Sequence, residues 1–359
     1  MKASLVLWGL LALFLLLVPL TAIPLSQETS PLPAAASSRE ADPPSSSASS
    51  SSPAAERGDA APAAEAGVFY GAPSSFRILN ETTGQVEEVP VRDYVRGAVA
   101  AEMPALYHPE ALKAQAVAAY TYGVRSALDH RETPLPSLQG ADFSADPHNL
   151  KGYITEEEAR TFYGDQFDGY WSKVCQAADE VLGYLLLDPE GNPVAAAYHA
   201  ISAGTTEDAA NIWDGAIPCL TPVESPGDLL AHDYETTAVF SSQEMALILA
   251  GVAGADLSGD PAGWIQVAER SSSGYVTQVL VGGVPLHGQQ LRTLLGLRST
   301  AFDLAVENGT FSFTVRGYGH GAGLSQNGAD YMARQGATFD QILAHYYPGS
   351  QLAMAAGEE

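Results

Sequence analysis

Val91-Arg-Asp-Tyr-Val-Arg-Gly-Ala-Val-Ala-Ala-Glu102-Met-Pro104, followed closely by Pro109-Glu-Ala-Leu-Lys-Ala-Gln-Ala-Val-Ala-Ala-Tyr120, is the stretch that decides how this chain folds. Tyr94, Val95, Ala98, Val99 and Glu102 recur at three- and four-residue steps, the period of a buried helix face. Asp93 is suited to cap the start, and Pro104 forces the chain out of helix by Met103. A second helix opens at Pro109, a favoured first helical position, and runs to about His130. Leu112, Ala116, Ala119, Tyr120, Gly123, Val124, Ala127 and Leu128 mark its buried stripe. Only Ala105 to His108 joins the two, so they should pack as a pair with Glu102 near their junction.

Glu102 is then a carboxylate on an apolar face at the negative end of a helix. Burial and the helix dipole both disfavour the anion, so its pKa should rise. An acid still protonated near neutral pH is what general acid catalysis requires. A last-turn glutamate pointing at solvent fits the same spacing, and position alone leaves both readings open.

Outward from this pair, Phe76 to Val91 reads as a hairpin turning near Thr83-Gly84. Residues 131 to 170 are loop-rich, with a short helix at Thr155 to Tyr163, and Val181 to Ala200 alternates like strands around Pro189-Glu-Gly-Asn. Ser241 to Ala253 reads as a helix, Ile265 to Val281 as a hairpin about Ser273-Gly274, and Leu286 to Leu295 as a short helix. Thr310 to Val315 alternates as a strand, while Ser325 to Gln335 and Phe339 to His345 are helical in pattern. The expected class is α+β, a single mixed globular domain spanning 67–359.

Ahead of that domain the composition changes twice. After Lys2, the chain is almost wholly apolar from Ala3 to Leu25, the pattern of a signal peptide or a membrane-spanning signal anchor. Leu20-Thr-Ala22 is a poor cleavage site, so residues 1–25 are expected to stay as a transmembrane helix with Lys2 cytoplasmic and the rest extracytoplasmic. Residues 26–66 are dominated by Ala, Ser and Pro and should form a disordered linker. The formal charge of −25 excludes nucleic acid as a partner, because no excess of Lys and Arg exists to neutralise phosphates. Cys175 and Cys219 could form one disulfide or remain small apolar side chains, and a domain of this size needs no covalent staple.

The densest local signal is Arg316-Gly-Tyr-Gly-His-Gly-Ala-Gly-Leu-Ser-Gln-Asn-Gly328. Its glycines permit positive φ and close approach to a ligand, and the helix behind it offers free N–H groups. Gly317-x-Gly319-x-x-Ala322 fits the loose dinucleotide fingerprint, but too little chain follows for that fold. A Ser325/His320 hydrolase lacks the nucleophile elbow, since Asn327 stands where glycine belongs, and a Cys175/His199 thiol hydrolase rests on residue types alone. His148 and Asp146 form no zinc-ligand spacing.

These blocks together resemble the stage II sporulation protein D family, SpoIID, also called SpoIID/LytB for its amidase-enhancer members. The likeness runs from about Val91 to Leu352. It is carried by Tyr94 to Pro104, Glu110 to Ala119, Ser202-Ala-Gly-Thr-Thr-Glu207 with Asn211-Ile-Trp213, Ser225-Pro-Gly-Asp228, and Gly319 to Gln326 with His345-Tyr-Tyr-Pro-Gly349. The resemblance implies a peptidoglycan lytic transglycosylase that cleaves peptide-stripped glycan strands during forespore engulfment, alongside an amidase. It places the catalytic acid at Glu102, with Lys113, Gln115, Ser202, Gly204, Thr205, His320, Ser325 and Gln326 positioning the glycan. A non-catalytic wall protein that enhances an amidase is the alternative. Two departures stand out. Tyr120 replaces an arginine expected near the glutamate, and Ser144 and Asn149 replace zinc-binding cysteines of some members, leaving only His148. No cofactor is expected and zinc is doubtful.

Overall fold

The computed structural model describes residues 67–213 and 215–356. The expected membrane anchor and linker lie outside those residues, and among the described residues no helix is long and apolar enough to cross a membrane. In chain order the strands are β1 (Gly67–Tyr70), β2 (Ser75–Asn80) and β3 (Val86–Pro90), then helices α1 (Val91–Glu102) and α2 (Pro109–Glu132). Next come β4 (Phe143–Ala145), α3 (Glu156–Tyr163), α4 (Phe167–Glu180), β5 (Tyr184–Leu187) and β6 (Tyr198–His199). A lobe follows, made of β7 (Glu235–Ser241), α5 (Ser242–Leu249), β8 (Ile265–Arg270), β9 (Val276–Val281), β10 (Val284–His287), α6 (Gly288–Leu295), β11 (Phe302–Glu307) and β12 (Thr310–Arg316). The chain ends in β13 (Leu324–Ser325), α7 (Gln326–Arg334), α8 (Phe339–Tyr346) and β14 (Gln351–Ala356). The class is α+β.

Helix α1 ends as its sequence dictates. Met103 is extended because Pro104 disfavours helix before it, and the Met103 N–H closes the last turn on Val99. Its start differs from expectation. Pro90 is the N-cap and makes no side-chain bond, so Asp93 lies inside the first turn, where its charge meets the dipole. Helix α2 opens with His108 Nδ1 accepting the Glu110 N–H and Pro109 in the first turn. The single buried stripe expected for it is too narrow. Its alanines admit neighbours on every side, and α1, α4, α7, α8 and β5 all pack on it. Leu128, at the end of the expected stripe, is only partly buried.

The hairpin β2–β3 forms as read, and β4, drawn from the loop-rich segment, joins it in parallel register with Ile78 opposite Phe143. Beyond β5, the expected second strand is reduced to a bridge of Leu187 with Pro193 and the two-residue β6. Pro193 has no N–H to donate, and Ala195 to Ala197 are buried in the core. Helix α4 was not legible. Its first turn is Phe-Asp-Gly-Tyr-Trp, aromatic-rich with a glycine, and Gln166 offers no cap bond.

Two large apolar cores stand out among the described residues, beside a small cluster of Leu79, Leu138 and Ala141. One gathers α1, α2, α4 and the short sheets, while the other belongs to the lobe and centres on Phe302, Phe311 and Phe313. The lobe's neck is β7 paired antiparallel with β12, Glu235 opposite Arg316. Cys175 is half-buried and Cys219 buried, both as free thiols.

Gly97 fixes the approach of the loop that carries Leu150 to Gly152. A Cβ at this position would lie 2.1 Å from the Ile154 carbonyl oxygen, so no side chain fits without moving backbone. Gly97→Ala is expected to destabilise the protein by about 2–3 kcal/mol. Urea melts of the two proteins check this, and an unchanged midpoint refutes the tight contact.

Candidate active site

Glu102 ends α1 beside a cavity of about 370 Å³. Four tyrosines from distant parts of the chain surround it: Tyr94 of α1, Tyr122 of α2, Tyr198 of β6 and Tyr318 of the glycine-rich loop. Ser144, Lys151, His199, His320 and Gln326 complete the polar lining, and Glu102 is the one carboxylate among the described lining residues. The residue keeps some of its surface open, yet burial pushes its carboxyl from the ordinary 4.5 up to about 7. Gln326 opposes this weakly, its Nε2 donating to Glu102 Oε2 at 3.4 Å. No cation contributes to the shift. Burial also raises Tyr94, Tyr122 and Tyr198, so these phenols stay protonated and able to donate.

A larger cavity of about 1090 Å³ lies elsewhere, lined by Arg77, Glu88, Tyr120 and Arg131 among others. It lacks Glu102 and the glycine-rich loop. The smaller one is the candidate, because it joins a perturbed acid to converging polar groups and aromatic walls. Tyr120 opens onto the larger cavity and does not line the smaller.

The remaining positions named from sequence are distributed unevenly. Gln326 and His320 line the cavity, and Gln115 stands behind Gln326, its Oε1 accepting from Gln326 Nε2 at 3.4 Å. Lys113 is drawn off the cavity into ion pairs with Glu110 at 2.8 Å and Glu180 at 2.7 Å. Ser202, Gly204, Thr205 and Ser325 do not line it either. They form its support, and the centre of that support is Asp228, wholly buried. Asp228 accepts the Ser202 N–H at 2.9 Å, the Ser202 hydroxyl at 2.6 Å, the Ser325 hydroxyl at 2.8 Å and an Asn327 amide N–H at 3.2 Å. Gly204 donates its N–H to Ser202 Oγ, and the Tyr275 hydroxyl of the lobe reaches the Thr205 carbonyl at 3.4 Å.

Ser325 is also fully buried and caps α7 by accepting the Gly328 N–H, so its hydroxyl has no role left for a nucleophile. Cys175 sits against Arg92, Arg96 and Asp179, away from the cavity lining. The donor set for zinc does not fit. The Ser144 hydroxyl donates to Glu81 at 2.8 Å and the Asn149 amide to Asp146 at 2.7 Å, and neither replaces a thiolate. Among the described residues no three His, Cys, Asp or Glu side chains converge as metal ligands.

Sequence reasoning missed the tyrosine walls, Lys151, His199 and Asp228. The Tyr198-His199 pair closing an alternating segment just before Ser202-Ala-Gly204 carried a usable signal. Asp228 closed a quoted motif without a role. The parallel two-residue pairing of β6 with β13, Tyr198 opposite Leu324 and His199 opposite Ser325, is what brings these blocks together.

The stage II sporulation protein family model matches residues 79–187, the span from β2 to β5 that holds Glu102. Stage II sporulation protein D of Bacillus subtilis strain 168 is 34% identical over 283 residues, 79% of this chain and 80% of that protein. The chain belongs to the stage II sporulation protein D family. A second member, from Bacillus amyloliquefaciens, is also 34% identical, over 284 residues covering 79% of this chain and 80% of its own. The amidase enhancer of Bacillus subtilis strain 168 is 25% identical over 308 residues, 72% of this chain but 40% of that protein.

Proposed function

We propose that this protein cleaves the glycan strands of peptidoglycan as a lytic transglycosylase, with Glu102 as the acid and then the base. Membership of a sporulation family supports a cell-wall role in sporulation. The observation that carries the finer reading is a single, partly open carboxyl, raised to about 7, in a tyrosine-walled cavity that has no second carboxylate among its described lining residues. Ordinary glycosidases use two carboxylates, whereas a substrate that supplies its own nucleophile needs one.

Protonated Glu102 gives its proton to the bridging glycosidic oxygen as the bond to the anomeric carbon breaks. The acetamido group of that sugar assists at the anomeric carbon, and its 6-hydroxyl then attacks there. The Glu102 carboxylate takes the hydroxyl proton, regenerating the acid and leaving a 1,6-anhydro end. The tyrosine walls offer faces against which sugar rings stack. Gln326 donates to Oε2, which leaves Oε1 as the oxygen that carries the transferable proton.

Mass spectrometry of peptide-free glycan strands digested by the full chain tests the reaction. Anhydro ends are expected, reducing ends would indicate hydrolysis, and intact strands would refute an enzyme. Likeness to an amidase enhancer supports a second reading, a wall-binding stimulator of an amidase, which predicts intact strands together with a faster partner amidase. The apolar segment 3–25 supports tethering to the outer face of the cell membrane, which protease shaving of intact cells checks.

Gln326→Leu separates positioning from shape. Removing a donor that favours the carboxylate raises the Glu102 pKa, so the alkaline limb of the rate profile moves to higher pH. The maximal rate should fall by less than about tenfold, the worth of one weak hydrogen bond. A limb that stays in place contradicts the contact.

A further inference from the structure

One wall of the Glu102 cavity comes from a single short segment. Phe143, Ser144, Leu150, Lys151 and Gly152 all line it, and between Ser144 and Leu150 the chain turns back on itself. Asp146 and Lys151 exchange two main-chain hydrogen bonds of 2.9 Å across the base of that turn. Leu150 stands at φ 57°, a left-handed conformation that a leucine keeps only where its surroundings enforce it. On either side the chain is fixed, by the pairing of β4 with β2 and by the Ile154 N–H on the Gly97 carbonyl of α1.

Side chains of the turn between β2 and β3 hold the segment in place. Lys151 Nζ lies 2.7 and 2.9 Å from the two carboxylate oxygens of Glu81, and the Ser144 hydroxyl donates to the same carboxylate at 2.8 Å. Thr82 Oγ1 donates to one oxygen of Asp146 at 2.8 Å, and the Asn149 amide donates to the other at 2.7 Å. Ser144 and Asn149 are the positions of the zinc-binding cysteines in some family members. Here both donate to carboxylates, and the cation among these side chains is an ammonium group.

We propose that the Glu81–Lys151 ion pair clips this segment shut beside Glu102 and keeps water from its carboxyl, which makes Lys151 a positioning residue for the acid. The pair is partly covered, with side chains 25% and 33% exposed, so salt screens it less than a fully exposed pair. Lys151 does not act on Glu102 by its charge, since no cation contributes to the shift of that carboxyl. Gln326 faces Glu102 from α7, and the four tyrosines, His199 and His320 face it from the other walls. Burial lowers His199 to about 4 and holds His320 well below the usual range, so neither ring changes charge near pH 7. The titration of Glu102 therefore reports how much water reaches it.

The carboxyl 13C resonance of Glu102, identified by its loss in Glu102→Gln, is followed in the full chain from about pH 4 to 9. The wild-type midpoint is expected at about 7. Lys151→Met removes the ammonium and keeps an apolar stem. Loss of a positive charge can only raise a nearby carboxyl, whereas entry of water lowers it. A midpoint at about 6 or below, toward the ordinary 4.5, is expected for this variant, and an opened wall is what produces it. Lys151→Arg, whose guanidinium can span both Glu81 oxygens, should keep the wild-type midpoint. Release of anhydro ends gives a second readout, which rests on the glycan-cleaving reading. Lys151→Met should fall about fivefold further below wild type near pH 7 than near pH 5, where the acid is protonated in both proteins. A merely structural defect lowers the rate equally at the two. An unchanged or raised midpoint in folded Lys151→Met overturns the clip, as does a lowered midpoint in Lys151→Arg. Strands left intact by the wild type would remove the glycan-cleaving reading, while the resonance still decides the clip.

Discussion

Glu102→Gln is expected to lower glycan cleavage by about 10³- to 10⁴-fold, the upper range for general acid–base catalysis, because one group serves both halves of the proposed reaction. The variant keeps shape and the Gln326 neighbour but has no proton to give. In the wild type the rate should fall as pH rises through about 7, since the acid must be protonated when the glycosidic bond breaks. Stability moves with the opposite partner of the same shift. The folded-state pKa lies above the ordinary 4.5, so the buried acid costs nothing while protonated, and the cost of ionising it grows between 4.5 and about 7. Above that window Glu102→Gln should be more stable than wild type by on the order of 2 kcal/mol, discounted for the carboxyl's residual access to water, and below 4.5 the two should match. Release of anhydro ends measures the first effect and urea melts at two pH values the second. Wild-type activity retained by Glu102→Gln would end the catalytic assignment.

Asp228→Ala should be the most damaging change away from the reacting atoms. It strips the shared acceptor from Ser202, Ser325 and Asn327 and leaves their buried donors facing one another. Each orphaned donor costs about 1–3 kcal/mol, and they are not additive, so a total near 4 kcal/mol is expected. That is a large share of the stability of a typical domain. Ser325 caps α7 and precedes Gln326, so release of Ser325 also loosens the residue that contacts Glu102. Activity should fall at least about tenfold even at temperatures where the variant is folded, since misplaced catalytic groups lose rate steeply. Thermal melts and single-time-point digests check both. A variant with wild-type melting would show that the four hydrogen bonds carry little net weight.

The helical pair and the acid at its junction were legible because their signals are local. Three- and four-residue spacing, Pro104 and Pro109 act within a few residues, and the structure keeps those boundaries. The cap was misread because Pro90 already sets the entry into α1, leaving Asp93 no cap to make. The cavity was far less legible. Its walls come from Tyr94, Tyr122, Tyr198 and Tyr318, which share no period and meet only through tertiary packing. Lys113 was expected to position the glycan, yet Glu180 on α4 pairs with it, and α4 itself had no readable start. Ser202 and Ser325 were found for the right neighbourhood and the wrong contact, because a serine hydroxyl does not announce whether its partner is a sugar or a buried aspartate.

The excursion between β7 and β12 leaves and rejoins the chain side by side, an arrangement in which extra sequence is inserted at little topological cost. Its Tyr275 hydroxyl accepts the Ala203 N–H at 2.9 Å, Ser273 Oγ donates to the Thr206 carbonyl at 2.8 Å, and Ser271 reaches Glu207. A genome could lengthen or recolour the outer surface of such an appendage freely. Deleting it would remove three hydrogen bonds from the turn at Ala203 to Glu207, so the appendage and that turn depend on one another.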